Sequence, residues 1–354
     1  MSSYRVGIVG YGMIAHIHAA AVAAVPDATL VGVMDRGSGA ADKIAPGLDH
    51  RGRESLEAFI SRDDIDVVMV ATPSGVHLDA ALLAAQHGKH CLVEKPMEVS
   101  PARIDEMIHA HANAGTTLGG IFNTRYTAGA QLLKRTVEAG RFGRITYASA
   151  VGPWWRDPEY YSTSSWKGRW SMDGGGAMMN QGIHSIDLLQ WLVGQPVVSV
   201  AGHAQAAVHD IEVEDTAVAN LRFANGALGT IACTTSMWPG HFRTITIGGN
   251  DGTAVLADGN LLVWDFRESH ADDKEAATLM GSPGAGVGAS NPSAGVDADG
   301  HSWALEEFLS AIDEGNVPRV DGAEARKAVA IICAVYESSR RGGVPIELTA
   351  VSHV

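Results

Sequence analysis

The chain has 354 residues, of which 46% are hydrophobic and 19% charged, and its formal net charge is −14 at pH 7. This length suffices for two domains, since a single core stops growing near roughly 250–300 residues, and the composition excludes extensive disorder. The negative charge argues against a nucleic-acid or anionic-membrane surface, so we expect no nucleic-acid partner and no membrane partner.

Short β-rich runs alternate with helical segments along the first third of the chain. The runs are "YRVGIVG", "TLVGVMD", "DVVMVAT", "HCLVEKP" and "TTLGGIF". This alternation predicts βαβ units and a parallel sheet, which places residues 1–123 in one α/β domain. The segment "SPARIDEMIHAHANAG" predicts a helix capped by Ser100, because proline at the first helical position and a terminal glycine mark its limits.

Residues 124–354 predict a second domain of a different kind. One more helix, "YTAGAQLLKRTVEAGRFG", is followed by consecutive strands, two joined by Asn225-Gly226 and two by Asp258-Gly259. These pairs are typical of hairpin turns, so we expect an α+β domain with a largely antiparallel sheet. A glycine-rich loop is predicted at 280–300. Helices near 301–314 and 322–341, candidates to pack back on the first domain, and a short strand "VPIEL" follow it.

The first strand ends in a glycine-rich turn. Gly10, Gly12 and Ala15 have the spacing G-x-G-x-x-A, in which the first glycine permits the turn and the second lets the backbone approach a pyrophosphate. Asp35, at the end of the second strand, is placed to accept hydrogen bonds from the adenosine ribose, which favours NAD over NADP. The neighbouring Arg36 keeps NADP open, since a guanidinium can pair with a 2′-phosphate.

The fourth predicted strand ends in Glu94, Lys95 and Pro96. A lysine at the carboxyl end of an inner strand points into the crevice where ligands bind, and its ammonium can lower the pKa of a substrate hydroxyl. Thr72 and Pro73 end the third strand and are expected to border the same crevice. The alternatives are a surface lysine paired with Glu94 and an ordinary strand-to-helix turn at Thr72.

The segment "GGGAMMNQGIHSIDLLQWLVG" predicts a helix with a polar line of Asn180, His184 and Asp187. These residues share one helix face, so Asn180 and His184 can reach one substrate carbon from adjacent turns. Imidazole has the near-neutral pKa that a base for alcohol oxidation requires. The structural alternative makes Asn180 an N-cap and His184 a half-exposed residue of a helix lying on the sheet.

Residues 154–170 contain four of the eight tryptophans of the chain. Aromatic faces and fixed cations suit stacking on sugar rings and binding of their hydroxyl or carboxylate groups. The candidate substrate contacts are Trp155, Arg156, Tyr161, Trp166 and Lys167, with Asp187, Trp238 and His241 as further candidates. An oligomer interface uses the same residue types and stays open as an alternative. The histidine spacings are not typical of a metal site, so we predict no metal.

Together these motifs resemble the Gfo/Idh/MocA oxidoreductases, the glucose-fructose oxidoreductase and inositol dehydrogenase family. The similarity covers nearly the whole chain, and the pairing of "EKP" with G-x-H-x-x-D is its most specific part. The resemblance implies an N-terminal Rossmann domain, a C-terminal domain whose sheet often forms an oligomer interface, and hydride transfer between a nicotinamide and a sugar, polyol or related carbonyl. Lys95 is similar to the family lysine that orients the reacting oxygen, and His184 to its general acid/base. Asn180 departs from the aspartate of many members.

The resulting prediction is a homo-oligomeric, dimeric or tetrameric, NAD(P)-dependent dehydrogenase. Its carbohydrate-like substrate is a sugar, glycoside, polyol or sugar acid with a secondary alcohol. The catalytic candidates are Lys95, His184 and Asn180, and the assignment requires the first two to meet over one nicotinamide ring. The cofactor-binding candidates are Gly10, Tyr11, Gly12, Met13, Ile14, Asp35, Arg36, Thr72, Pro73, His77, Glu94, Lys95 and Asn123.

The cysteines and the N-terminus predict the compartment. Cys91, Cys233 and Cys333 are odd in number and far apart, and the N-terminus has no basic segment followed by an apolar signal core. We therefore expect a cytoplasmic protein.

Two functional alternatives stay open, a non-catalytic NAD(P)-binding regulatory protein and an NADPH-dependent carbonyl reductase.

Overall fold

The structure is a computed structural model that describes residues 3–35, 41–45, 48, 55–281 and 298–348. The chain divides into two compact units, the first formed by residues 1–123 and 296–326 and the second by residues 124–295 and 327–354. Arg36 and most of the predicted loop 280–300 lie outside the described residues.

Strands and helices follow the predicted order. The strands are β1 (Tyr4–Val9), β2 (Ala28–Met34), β3 (Val67–Val70), β4 (His90–Val93), β5 (Leu118–Gly120), β6 (Ile145–Pro153), β7 (Val197–Gln205), β8 (Thr216–Phe223), β9 (Leu228–Thr234), β10 (Thr244–Gly249), β11 (Gly252–Ala257), β12 (Asn260–Phe266) and β13 (Ile346–Glu347). The α-helices are α1 (Met13–Ala24), α2 (Ala41–Ile44), α3 (Leu56–Ile60), α4 (His77–Gln86), α5 (Pro101–Ala114), α6 (Ala128–Glu138), α7 (Glu159–Ser162), α8 (Trp170–Asp173), α9 (Ile183–Val193), α10 (Asp273–Leu279), α11 (Ala298–Glu314) and α12 (Gly322–Arg340).

A parallel sheet of five strands, in the order β2-β1-β3-β4-β5, organises the first unit. All four residues of β3 are buried, as expected for an inner strand covered on both faces. The strand order reverses between β1 and β3, and in open α/β sheets ligands bind at the carboxyl ends of the strands beside such a reversal. The fold therefore directs attention to the turns that follow β1, β3 and β4.

The helix limits in the first unit have local causes. The Ser100 side chain accepts a hydrogen bond from the backbone N–H of Arg103, and Gly115 ends α5 in the left-handed conformation, so both predicted limits are confirmed. Helix α11 packs against α1. It begins at Ala298, so the end of the predicted loop 280–300 is helical instead. The backbone N–H of Gly120 donates to the carbonyl of Val320 at 2.8 Å, which joins the segment after α11 to the edge of the sheet.

The second unit contains an eight-stranded sheet in the order β12-β11-β10-β6-β9-β8-β7-β13. Its neighbours are antiparallel except β6 and β9, which run parallel, so the predicted antiparallel character is confirmed with one exception. The predicted turns at Asn225-Gly226 and Asp258-Gly259 join β8 to β9 and β11 to β12. Helix α9 packs on β6 and β10, and α6 packs on α9. Within the described part of the chain, no helix combines the length and the apolar character that a bilayer crossing needs.

Candidate active site

The turn after β1 has the geometry that a dinucleotide pyrophosphate needs. Gly10 has a φ of +121°, and a Cβ atom there would overlap the backbone carbonyl of Ala71, so only glycine fits. Gly12 is the N-cap of α1, and a Cβ atom built on it meets nothing within 4 Å. No side chain caps this helix N-terminus, and its first turn carries no acidic residue. Backbone N–H groups at such a terminus bind anions.

The other strand ends also suit a bound dinucleotide. Asp35 is buried directly after β2, where the ribose hydroxyls of the cofactor are expected. The side-chain oxygens of Thr72, after β3, and Asn123, after β5, are buried without a hydrogen-bond partner among the described residues. Buried polar atoms normally have partners, so these oxygens fit a ligand that supplies donors, such as a nicotinamide amide. Tyr11 and Met13 are exposed beside the glycine turn, and Ile14 is partly exposed.

His77 has a structural role that the sequence did not show. Its buried ring lies between strand ends, with Nδ1 3.0 Å from the carbonyl oxygen of Pro96 and Nε2 2.9 Å from that of Thr72. Burial lowers the pKa of His77, which favours the neutral ring. A neutral imidazole donates from one nitrogen only, so the ring donates to one of these carbonyl oxygens and contacts the other. Both nitrogens face the protein itself, which favours a structural contact between the turns after β3 and β4 over the predicted direct contact with cofactor. Pro73 lies in the first of these turns.

Glu94 also faces inward, unlike the surface partner of Lys95 considered from the sequence. Its Oε1 lies 3.0 Å from Nε2 of His18 and 3.2 Å from Nε2 of His301, and its Oε2 accepts the backbone N–H of Lys95 at 3.0 Å. Burial alone would raise the pKa of Glu94, but the two imidazoles outweigh it and hold the pKa well below its usual range. The carboxylate therefore orients the backbone at Lys95, and its partners favour this role over the predicted cofactor contact.

The cluster of His18, Glu94 and His301 joins α1, β4 and α11. Sequence reasoning missed it because the three residues are remote in sequence. The only local signal was a histidine on the buried face of the helix that follows the glycine turn. Lys95 itself is partly exposed at the end of β4, where the sequence analysis placed it. Among the described residues, no three histidine, cysteine or acidic side chains form a group that could hold a metal ion.

In the second unit, Asn180 and His184 lie on a helix that is otherwise buried. From residue 173 to residue 190, only Asn180, Gln181 and His184 are not buried. Residues 177–182 are π-helical and α9 starts at Ile183, so Asn180 does not belong to the regular α-helical face predicted from its spacing. The partly exposed residues of this segment are nevertheless the predicted Asn180 and His184, with Gln181 added, and Nδ1 of His184 is itself buried.

A hydrogen-bond network holds the Asn180 amide. Its Nδ2 donates to the buried carboxylate of Asp173 at 2.5 Å, and its Oδ1 accepts from Gln181 Nε2 at 2.8 Å. Gln181 Nε2 also donates to the hydroxyl of Tyr160 at 2.9 Å. Asn180 therefore has one orientation, which suits an amide that positions a substrate and does not exchange protons. Asp173, Gln181 and Tyr160 were not predicted.

Asp187 lies one turn after His184 and is fully buried. Its carboxylate accepts two hydrogen bonds from the guanidinium of Arg125, at 2.7 and 2.5 Å. The carboxylate has no accessible surface and is bound by Arg125, which favours a structural role over its predicted substrate contact. The Arg125 guanidinium also lies 5.4 Å from the ring centre of Trp191, which ties the start of the unit to α9.

The aromatic segment is partly joined to this helix. Arg156 is 5% exposed and donates from Nη2 to the Gln181 side-chain oxygen at 2.7 Å, which favours a role in holding that amide over its predicted substrate contact. The Lys167 ammonium lies 3.6 Å from the ring centre of Tyr160, which also contacts Gln181. Trp166 is partly exposed beside them. Arg156 and Tyr160 thus contact Gln181 directly, and Lys167 is joined to them through the ring of Tyr160.

Tyr161, Trp155 and His241 have other surroundings. Tyr161 is buried and its hydroxyl pairs with that of Thr235 at 2.9 Å, which favours a packing role over its predicted substrate contact. Trp155 contacts Trp238 edge-on, with ring centres 5.7 Å apart. Trp238 is 72% exposed, and His241 is also exposed on the loop before β10. An accessible aromatic surface at the ends of β6 and β9 is therefore formed by Trp155, Trp238 and His241.

A parallel sheet whose first strand ends in a glycine turn with an open helix N-terminus is typical of oxidoreductases that bind NAD. Residues 4–121 match the oxidoreductase family with an NAD-binding Rossmann fold, and residues 130–255 match the GFO/IDH/MocA C-terminal domain. The chain belongs to the Gfo/Idh/MocA family, whose relatives named below act on sugars and polyols.

Several relatives cover almost the whole chain. The WlbA dehydrogenase from Bordetella pertussis, solved in complex with NADH and UDP-GlcNAcA, is 34% identical, with a TM-score of 0.88 over 98% of each chain. The levoglucosan dehydrogenase of Pseudarthrobacter phenanthrenivorans is 27% identical over 96% of this chain and 97% of its own. The myo-inositol 2-dehydrogenase of Thermotoga maritima is 28% identical over 94% and 96%.

The two glycines of the turn after β1 give a test of the cofactor site. Gly12→Ala is expected to weaken NADH binding at least about tenfold, because the new methyl group occupies the space that a pyrophosphate needs. Its unfolding temperature should stay that of the wild type, since the methyl meets no protein atom within 4 Å. Titration of NADH by fluorescence and thermal unfolding measure the two effects.

Gly10→Ala is the matched comparison, because its Cβ atom overlaps the protein itself and its φ is positive. This variant should lose thermal stability as well as affinity. Wild-type affinity in Gly12→Ala would contradict a pyrophosphate site at this turn.

Proposed function

We propose that the protein oxidises a secondary alcohol of a sugar ring with NAD as the hydride acceptor. The observation that carries this proposal is the exposure of Asn180, Gln181 and His184 in a segment that is otherwise buried from 173 to 190. A protein that only bound the cofactor would have no need of an accessible imidazole beside an oriented amide. The reverse reaction, reduction of the corresponding ketone, uses the same residues.

Each residue has a defined task in this proposal. The Lys95 ammonium polarises the reacting hydroxyl, and the His184 imidazole accepts its proton. Asn180 is held by Asp173 and Gln181, and its amide forms a hydrogen bond with a neighbouring hydroxyl of the sugar ring. NAD, when bound, supplies the acceptor for the hydride. Glu94 and His77 position the backbone on either side of Lys95.

The substrate class that we favour is a glycoside or nucleotide sugar, not a free cyclitol. UDP-GlcNAcA and levoglucosan, named with two relatives, are both pyranosides without a free anomeric hydroxyl. The partly exposed Lys167 has its ammonium 3.6 Å from the ring centre of Tyr160, which contacts Gln181, and this cation suits a carboxylate or phosphate. The aromatic surface of Trp155 and Trp238 suits a ring or base at the far end of such a substrate.

The experiment is a substrate panel with purified protein. UDP-GlcNAcA, levoglucosan, methyl glucosides, glucose and myo-inositol are each offered with NAD and with NADP, and formation of the reduced cofactor is followed by absorbance. We expect turnover with glycosidic substrates and NAD, and none in the His184→Ala variant. NADH binding without turnover on any substrate would instead support the regulatory alternative.

We also propose that the protein forms a homo-oligomer through the open face of the eight-stranded sheet. Tyr147 and Leu228 are register partners on β6 and β9, and Val218 lies on the same face of β8, each between 44% and 59% exposed. Exposed apolar patches of this kind mark interfaces. Light scattering should give a dimer or larger, and Leu228→Arg should shift the mass downward. A wild-type monomer at high concentration would contradict the proposal.

A further inference from the structure

Glu214 lies beneath the start of the helix that carries Asn180 and His184. It is 2% exposed and lies two residues before the start of β8. Its Oε2 accepts the backbone N–H of Gly176 at 2.8 Å, and its Oε1 accepts the backbone N–H of Met178 at 2.8 Å. The Tyr336 hydroxyl donates to Oε1 at 2.9 Å. The two amides are neighbours of the π-helical turn, so one carboxylate holds the entry to the helix.

The backbone of Glu214 adds to this attachment. Its carbonyl oxygen accepts the N–H of Ala177 at 2.9 Å, and a Cβ atom on Gly176 would overlap that same carbonyl. Residues 176–178 are therefore attached to residue 214 at three consecutive amides. Any displacement of this segment is transmitted to Asn180 and His184, because the helix that follows is continuous.

The charge of Glu214 is finely balanced. Burial favours the neutral carboxyl and raises its pKa. The three hydrogen-bond donors and the helix N-terminus favour the ionised form, but they do not fully offset burial, and the resulting pKa is about 7. Tyr336 and Cys333 face this region from α12, and Cys233 faces it from β9. Burial raises the pKa of the Cys233 thiol to about 12 and that of the Tyr336 phenol well above its usual value, so both stay protonated near neutrality.

We propose that Glu214 is a positioning residue for the reaction, whose ionised carboxylate holds residues 176–178, and through them Asn180 and His184, in their catalytic geometry. Protonation of Glu214 removes the negative charge that binds the backbone amides of Gly176 and Met178. Residues 176–178 are then held less tightly. This inference rests on the proposed function for its kinetic consequence but not for its structural one.

The pH dependence has a definite sign. Oxidation needs neutral His184 and ionised Glu214, and acidification removes both, so kcat falls below about pH 7. Loss of the Glu214 charge should lower kcat about tenfold as the pH falls through about 7, in addition to any loss caused by protonation of the base. Glu214→Gln should lack this step, so its acid limb is shallower than that of the wild type.

The test compares wild type with Glu214→Gln, Tyr336→Phe and a control. Glu214→Gln is expected to lower plateau kcat about tenfold or more, since a glutamine offers one acceptor oxygen and places an NH₂ against a donor. NADH affinity should remain that of the wild type. Tyr336→Phe keeps the ring but removes one donor to the carboxylate, so the acid limb should move to higher pH.

Ser338→Ala is the matched control, because it removes a buried hydroxyl from α12, the helix that carries Tyr336. The Ser338 hydroxyl donates to Val344 and accepts from Gly202, away from residues 174–182. The pH profile of this variant should superimpose on that of the wild type.

Amide hydrogen exchange of residues 174–184 supplies a readout that does not need turnover. Exchange rates are corrected for the intrinsic pH dependence of amide exchange and compared as protection factors. We expect lower protection in Glu214→Gln at neutral pH and in the wild type as the pH falls through about 7, and Ser338→Ala should behave as the wild type does. Unchanged exchange and an unchanged acid limb in Glu214→Gln would overturn the proposal. If that variant does not fold, an unmoved acid limb or exchange profile in Tyr336→Phe overturns it. Faster exchange in a protein without turnover supports the positioning and rejects only the proposed function.

Discussion

Replacement of His184 by alanine is expected to lower kcat by about 10²- to 10⁴-fold, the range that a general base contributes. The imidazole is the accessible titratable group of the segment 173–190, in which Asn180 and Gln181 are the other accessible residues. NADH affinity should change little, because the predicted cofactor residues belong to the first unit. Steady-state kinetics on the best substrate of the panel and fluorescence titration of NADH measure the two effects.

His270→Ala is the control for this prediction. His270 is an exposed histidine of the second unit that lies 3.2 Å from the Asp272 carboxylate, at the start of α10. Its removal should leave kcat within about twofold of the wild type, within the scatter expected for a surface substitution. An active His184→Ala variant would show that another group accepts the proton.

Asp187→Ala is expected to have the largest effect on stability, about 3–5 kcal/mol of unfolding free energy. The side chains of Arg125 and Asp187 are 3% and 0% exposed, so the variant leaves a guanidinium buried without its carboxylate. Such a charge has lost its hydration without compensation. Urea denaturation followed by circular dichroism gives the difference.

Glu347→Ala provides the comparison, since it breaks the Arg222–Glu347 pair, whose side chains are 57% and 66% exposed. Loss of that pair should cost no more than about 1 kcal/mol. A similarly small loss in Asp187→Ala would mean that Asp187 is not the structural residue described above, and would reopen its substrate role.

The sequence predicted the elements that depend on local signals. Ser100 and Gly115 marked the ends of α5, and Asn225-Gly226 and Asp258-Gly259 marked hairpins, because these residue types have conformational preferences that act over a few residues. The glycine turn after β1 was predictable for the same reason. Residue spacing was less informative at Asn180, where a π-helical turn replaced the α-helical register that a 3.6-residue period assumes.

Residue chemistry alone did not separate binding roles from structural ones. Glu94, His77, Asp187 and Tyr161 were all predicted to bind cofactor or substrate, and each proved to be buried with partners inside its own unit. A carboxylate or imidazole that orients a loop has the same sequence signature as one that touches a ligand. Burial and partners distinguish the two, and both depend on residues that are distant in sequence.

The sequence by itself determined the order of the elements, the glycine turn for the dinucleotide, and the candidates Lys95 and His184, since each follows from a short motif and its place at a strand or helix end. Only the tertiary structure decided which polar groups are accessible and which are buried and hydrogen-bonded to other groups of the protein. Glu214 shows the reason most clearly, because its three hydrogen-bond donors come from Gly176, Met178 and Tyr336. No spacing rule relates these residues to position 214, and they become neighbours only when β8, α12 and the helix of His184 pack together.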